Sequence, residues 1–242
     1  MSREIFVLIS GAWHGSWCWH KLNEPLQAAG HRVLAPDLPG CGADDVPLAA
    51  VTLEMWTQHV CRILETQPQP VVLVGHSRGG IIISQVAEQL PHRIKRLVYV
   101  SGFLLRAGES VLRVLREEGT SPLLRVASLA DDKQTWEVDP SQIRGLFYSD
   151  CTDADAAFAH SRLVPEPAAP MMTPLKVSDE NFGRVPRVYI ECLRDRVIPP
   201  ALQRKMQAAL PCGRVLCLDA DHSPFFSAPE TLTAQLTLRP AR

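Results

Sequence analysis

Six short runs rich in β-branched and other apolar residues, at 5–9, 32–35, 70–74, 94–100, 187–192 and 214–218, alternate along this chain with longer helical patterns. That alternation predicts an α/β fold with a mostly parallel central sheet, because parallel neighbours need a crossover long enough to hold a helix. The stretches at 71–74 and 97–100 are apolar without period-2 alternation. Both of their faces should therefore be covered by helices, which places them mid-sheet. The helical patterns lie at 17–29, 52–65, 78–90, 200–210 and 229–236, each with Gly, Pro or a capping residue beside a boundary.

The rhythm breaks between about 104 and 184, where prolines stand at 122, 140, 165, 167, 170 and 174 and only short helical stretches separate them. An insertion of that length between two strands would cover the carboxyl ends of the sheet, where open α/β sheets bind ligands. It reads as a cap subdomain. With 242 residues, 46% of them hydrophobic, the chain can bury one substantial core. The expectation is a single domain spanning 1–242, with its core at 1–103 and 185–242.

Charge excludes several partners. The 25 basic and 26 acidic residues leave a net charge of -1 without long runs of either sign, so neither nucleic acid nor an anionic membrane is indicated. The apolar run near the N-terminus is too short and wrongly flanked for a signal peptide, and no stretch approaches the roughly 18 to 20 residues that span a bilayer. Seven scattered cysteines, at 18, 41, 61, 151, 192, 212 and 217, form no metal-ligand spacing. They read as reduced thiols in a cytoplasmic protein, several of them acting as small hydrophobes, with no metal site.

The chemistry concentrates after the run at 70–74, in Gly75-His76-Ser77-Arg78-Gly79-Gly80 followed by a helical pattern. This is G-x-S-x-G in its required strand–turn–helix setting, where small glycines let the backbone turn sharply and lift Ser77 Oγ above the sheet. A hydroxyl is a poor nucleophile near neutral pH and needs a base. His222, in Asp219-Ala220-Asp221-His222-Ser223-Pro224 just beyond the last strand run, is the candidate. Asp195 directly follows the strand run at 187–192 and is the candidate acid; Asp221 is its rival, although neighbouring residues rarely orient one another's side chains. Backbone N–H groups of Arg78 and Ala12 are the candidate oxyanion donors. His14, in the Ser10–Ser16 loop, is expected to structure that loop, the alternative being contact with substrate. The candidate substrate contacts are Gly11, His14, Phe147 and Ser223, with the cap's Phe147, Tyr148, Phe158, Leu163, Met171 and Met172 serving either a hydrophobic acyl pocket or the cap's own packing.

Phe6-Val7-Leu8-Ile9-x-Gly11-Ala12-x-His14-Gly15, Val74-Gly75-His76-Ser77, Ser178-Asp179-Glu180-x-Phe182-Gly183 and the run Arg187-Val188-Tyr189-Ile190 leading to Asp195 resemble the plant methyl esterase and hydroxynitrile lyase family of α/β-hydrolases across nearly the whole chain. The resemblance implies an α/β-hydrolase fold and a Ser77–His222–Asp195 triad with oxyanion donors at Ala12 and Arg78. It further implies a serine esterase acting on small carboxylic esters, methyl esters among them, with no cofactor. The lyases of that family resemble one another in a threonine where this chain has Gly11 and a lysine where it has Ser223, so a cation for departing cyanide is missing and hydrolysis is the better reading. Carbon–carbon lyase, thioesterase or lactonase, and non-catalytic receptor are the alternatives. Two departures stand out: Ser10 replaces a customary histidine, leaving the loop's hydrogen bonding open, and Arg78 replaces a customary aliphatic residue. The Arg78 side chain is expected to pair with a cap carboxylate, the alternative being an acidic group on substrate. The expected partner is a small-molecule ester; a homodimer is left open.

Overall fold

A computed structural model describes residues 3–42, 44–119 and 121–238; residues 1, 2, 43, 120 and 239–242 of the expected 1–242 span lie outside this set. In chain order the elements begin with β1 (Ile5–Ile9), α1 (His20–Ala28), β2 (Arg32–Leu34), α2 (Leu53–Glu65), β3 (Val71–His76), α3 (Gly79–Gln89) and β4 (Ile94–Val100). The intervening segment carries α4 (Val111–Glu118), α5 (Leu123–Val126), β5 (Ala127–Leu129), β6 (Thr135–Val138), α6 (Pro140–Phe147), α7 (Asp153–His160), β7 (Glu166–Pro167) and α8 (Ala168–Met172). The chain then returns through β8 (Arg187–Cys192), α9 (Pro200–Ala209), β9 (Arg214–Leu218), α10 (Pro224–Ser227) and α11 (Pro229–Thr237).

The main sheet has six strands in the order β2-β1-β3-β4-β8-β9, and every described pairing within it is parallel. β3 and β4 occupy the two central places, and nearly all their residues are buried, as their uninterrupted apolar sequence requires. Strand order fixes the helix layers. From β1 the chain steps one way to β2, then crosses back over β1 to β3 and continues in that second direction to β9. Right-handed crossovers therefore put α1 on one face and α2, α3 and α9 on the other. Accordingly α1 packs against α11, and α2 against α3.

The direction reverses between β1 and β3, and the loops that leave these two strands diverge to opposite faces. The crevice they open at the carboxyl edge is the usual ligand position of such sheets. Local sequence supports each wall. Thr52 Oγ1 accepts the Met55 N–H at 3.0 Å and caps α2, whose Leu53, Trp56, Val60 and Leu64 form one buried stripe. α3 is buried along almost its whole length, consistent with its apolar Ile81-Ile82-Ile83 start. β9 is an edge strand and alternates in exposure, so Cys217 faces solvent although its sequence neighbours are apolar; all seven thiols are free.

Between β4 and β8 the chain forms helices and a separate three-stranded sheet, β5-β6-β7, paired antiparallel. Short helical stretches were legible there; the sheet was not. The Ser178-Asp179-Glu180 motif anchors the chain's return to the core, because Glu88 on α3 accepts hydrogen bonds from the Ser178 N–H and hydroxyl, both at 2.7 Å. Among the described residues, no helix is long and apolar enough to cross a membrane.

Candidate active site

The turn from β3 into α3 is built by close backbone approach. A Cβ on Gly75 would lie 2.7 Å from the Gly79 carbonyl oxygen, and one on Gly79 would lie 2.7 Å from the Ile9 carbonyl oxygen, so neither position accepts a larger residue without displacing backbone. Ser77 at the apex has a φ of 50°, a left-handed conformation that a non-glycine residue holds only when its surroundings enforce it. Its carbonyl accepts both the Gly80 and the Phe103 N–H at 3.0 Å, which supplies that enforcement.

His222, in the loop after β9, is 1% exposed. Its Nδ1–H donates to Asp195 Oδ2 at 2.7 Å, and its carbonyl accepts His76 Nε2–H at 2.7 Å. Asp195 stands just past β8, where Oδ1 accepts the Val197 and Ile198 N–H groups at 2.7 and 2.9 Å and Oδ2 also accepts the Ser101 hydroxyl. Asp221 is occupied elsewhere: it takes the Asp150 and Ser223 N–H groups and the Ser227 hydroxyl. The Ser77 hydroxyl forms no hydrogen bond with His222 in this structure. Such bonds are often loose before substrate binds.

The loop after β1 meets the turn closely, since a Cβ on Gly11 would lie 2.9 Å from Ser77 Cβ and 2.7 Å from His76 Nδ1. Among the described residues, the backbone N–H groups of Ala12 and Arg78 have no acceptor within the protein. Ser10 Oγ donates to the His14 carbonyl at 2.9 Å, which answers the question its substitution raised. His14 is 1% exposed, with Nδ1–H donating to the Ala12 carbonyl and Nε2 accepting the Tyr148 hydroxyl, both at 2.7 Å. Both ring nitrogens are thus committed to the loop and the cap. Burial pushes its pKa down to about 4, opposed by the bond to Ala12, and the ring is neutral at pH 7.

Arg78 departs furthest from an ordinary turn residue. Its side chain is fully buried, with Nη2–H donating to the Gly11 carbonyl at 2.8 Å and the guanidinium carbon 4.2 Å above the Trp56 ring. Nε lies 2.8 Å from Oε1 of Glu166 in β7, an ion pair whose alignment falls short of a hydrogen bond. Glu166 Oε2 accepts the Trp13 N–H at 3.1 Å. Burial pushes the Glu166 carboxyl up to about 7, even though the Arg78 charge and the Trp13 N–H act the other way. Phe147 reaches the base from the cap, its ring centroid 5.8 Å from that of His222 and 5.7 Å from that of Trp13. Ser223 is buried, and its hydroxyl has no partner. Sequence reasoning expected a cap carboxylate at Arg78 without naming Glu166, and it missed Ser101 and Trp13; for Ser101 the available signal was its position just past β4.

The sequence profile of the alpha/beta hydrolase family matches residues 6–236. The chain belongs to the α/β-hydrolase family. Within this α/β-hydrolase family its relatives include methylesterase 1 of Arabidopsis thaliana, 31% identical over 96% of this chain and 94% of that protein. A longer chloroplastic relative from the same plant is 34% identical over 96% of this chain, which spans 63% of that protein's length. Among solved structures, a pyrethroid hydrolase from Sphingobium faniae superposes with a TM-score of 0.89 at 30% identity, covering 97% of this chain and 96% of that one. A methylesterase from Arabidopsis superposes with a TM-score of 0.82 at 29% identity, covering 96% and 97%.

Proposed function

We propose that this α/β-hydrolase is a serine esterase that cleaves small carboxylic esters through an acyl-enzyme on Ser77. One observation carries the reading: the strained Ser77 turn, two unengaged backbone N–H groups beside it and the His222–Asp195 pair at 2.7 Å lie together at the carboxyl edge of the sheet, the His222 ring 4.6 Å from that of His76, the neighbour of Ser77. In the first step Ser77 Oγ attacks the ester carbonyl carbon while His222 Nε2 takes the hydroxyl proton. The resulting oxyanion accepts hydrogen bonds from the Ala12 and Arg78 N–H groups. Collapse expels the alcohol, protonated by His222, and water then repeats the sequence to release the acid. Asp195 holds the His222 tautomer and stabilises the imidazolium.

Methyl esters are the substrates that relatives named methylesterase support. The lyase alternative is disfavoured by the space around Gly11, which has no room for a threonine side chain, and by the buried Ser223 in place of a cation. The seven free thiols fit a reducing compartment, which we read as the cytoplasm.

The test is turnover of methyl, short-chain aryl and thioesters by wild type and Ser77→Ala, with mass spectrometry after a fluorophosphonate probe. Turnover and labelling that both vanish in Ser77→Ala are expected. A wild type that cleaves mandelonitrile faster than any ester would overturn the reading.

A further inference from the structure

Trp13 adjoins the proposed oxyanion donor Ala12 and has a φ of 62°, a left-handed conformation that is unfavourable by about 1–2 kcal/mol for a residue bearing a Cβ. Three hydrogen bonds hold it there, and all three come from the segment between β4 and β8. Glu166 Oε2 accepts its N–H at 3.1 Å, its carbonyl accepts the Val164 N–H at 2.9 Å, and its indole Nε1–H donates to the Trp136 carbonyl at 3.0 Å. Trp136 and Glu166 are register partners on β6 and β7, so the small antiparallel sheet presents these groups as one rigid edge. Nothing within the Ser10–Ser16 loop itself fixes the Trp13 N–H.

Glu166 also faces the second donor. Its other oxygen lies 2.8 Å from Arg78 Nε, and Arg78 Nη2 in turn holds the Gly11 carbonyl at 2.8 Å. The carboxylate therefore spans both sides of the proposed oxyanion site, one oxygen on the residue after Ala12 and the other on the side chain of Arg78. Both side chains of the pair are at most 1% exposed. A buried ion pair is a weak source of stability compared with well-packed apolar residues, which leaves its persistence here without a stability explanation.

We propose that Glu166 is a positioning residue for ester hydrolysis, through which the inserted sheet sets the spacing of the Ala12 and Arg78 N–H donors. The inference rests on the hydrolase reading of the site and adds to it a residue outside the triad. It acts through Trp13 and Arg78, without touching substrate. Displacing one donor by about 1 Å is enough to slow the chemical step by about 100-fold, because the stabilisation acts on the developing oxyanion and not on the bound ester.

The test is steady-state kinetics on the best ester of the panel for wild type, Glu166→Gln and the double variant Arg78→Met/Glu166→Leu, with thermal melts and fluorophosphonate labelling of each. The double variant removes the ion pair without leaving a lone buried charge, so it is expected to fold and to label. Its kcat is expected to fall about 10- to 100-fold while KM changes less than about threefold. Glu166→Gln keeps an amide oxygen for the Trp13 N–H but leaves the buried Arg78 charge without its partner, so it is expected to recover only part of the kcat loss and to melt below the double variant; a kcat no higher than that of the double variant would assign the positioning to the Arg78 contact alone. A folded double variant with wild-type kcat overturns the proposal, and so does a rise in KM at unchanged kcat, which would make Glu166 a substrate-binding group. Where none of the three proteins labels and wild type turns over no ester, the hydrolase reading itself fails and this inference with it.

Discussion

Asp195 Oδ2 lies 2.7 Å from His222 Nδ1, while Asp195 Oδ1 is held by the Val197 and Ile198 N–H groups at 2.7 and 2.9 Å. The two oxygens divide the work of orienting the imidazole and fixing the carboxylate. Asp195→Asn keeps the shape but presents an amide to Nδ1, which favours the wrong tautomer. Under the esterase reading kcat should fall by about 10⁴-fold with the fold intact, as stopped-time ester assays and circular dichroism would register. A loss below about tenfold would point instead to Asp221.

Ser101 donates its hydroxyl to the same Asp195 oxygen that faces His222, and it does so from a φ of 41°. Ser101→Ala removes a donor that stabilises the charged carboxylate. Asp195 Oδ2 then faces His222 alone, the imidazole is held less firmly in its working orientation, and kcat should fall by about three- to tenfold with KM unchanged, as steady-state ester assays would register. A bond to a charged acceptor contributes about 1.5–3 kcal/mol, so the urea midpoint should fall as well.

His14 is a buried neutral base, held at about 4 against an ordinary value of 6.5. Its folded-state pKa lies below the unfolded one, so the unfolded chain takes up the proton first. The stability it contributes is complete above about pH 6.5 and is lost as pH falls toward about 4, by about 3 kcal/mol at full effect. His14→Asn retains an N–H for the Ala12 carbonyl but cannot titrate. Urea unfolding of both proteins at pH 7 and pH 4.5 should show a smaller pH-dependent loss in the variant, with His76, His31 and His59, also pushed down by burial, among the groups that supply the remainder in both.

Gly11→Thr installs the residue that lyases of the resembling family carry. Here a Cβ would fall 2.7 Å from His76 Nδ1 and 2.9 Å from Ser77 Cβ. Overpacking of that kind destabilises by about 1–3 kcal/mol. The variant should melt lower, lose ester turnover and gain no cleavage of mandelonitrile; measurable cyanide release would contradict this account of the Gly11 environment.

Local chemistry explains why some of the site was readable. Ile5–Ile9, Ile94–Val100, Arg187–Cys192 and Arg214–Leu218 are strands over the spans their apolar runs indicate. Ser77 stands at a turn that its own glycines specify, and Asp195 and His222 follow strand ends where loops converge. Each of these signals lies within a few residues. The helix expected from residue 17 differs: it opens with a turn of 3-10 helix at Ser16–Trp19 and becomes α-helical at His20, where the chain is freed from the Gly15 carbonyl that binds the Cys18 N–H.

The sequence by itself determined the parallel sheet, its central strands and the place of the serine turn, because periodicity and glycine spacing are local properties. Tertiary structure decided which groups meet across long separations. That a cap carboxylate would answer Arg78 could be expected from a lone charge at a buried turn, but that it is Glu166, 88 positions away, depends on how β7 pairs with β6 and where that edge lands on Trp13. The choice of Asp195 over Asp221 at His222 and the capture of His14 by Tyr148 are likewise matters of packing. A hydrogen bond is set by angstroms and orientation, and neither is written in the order of residues.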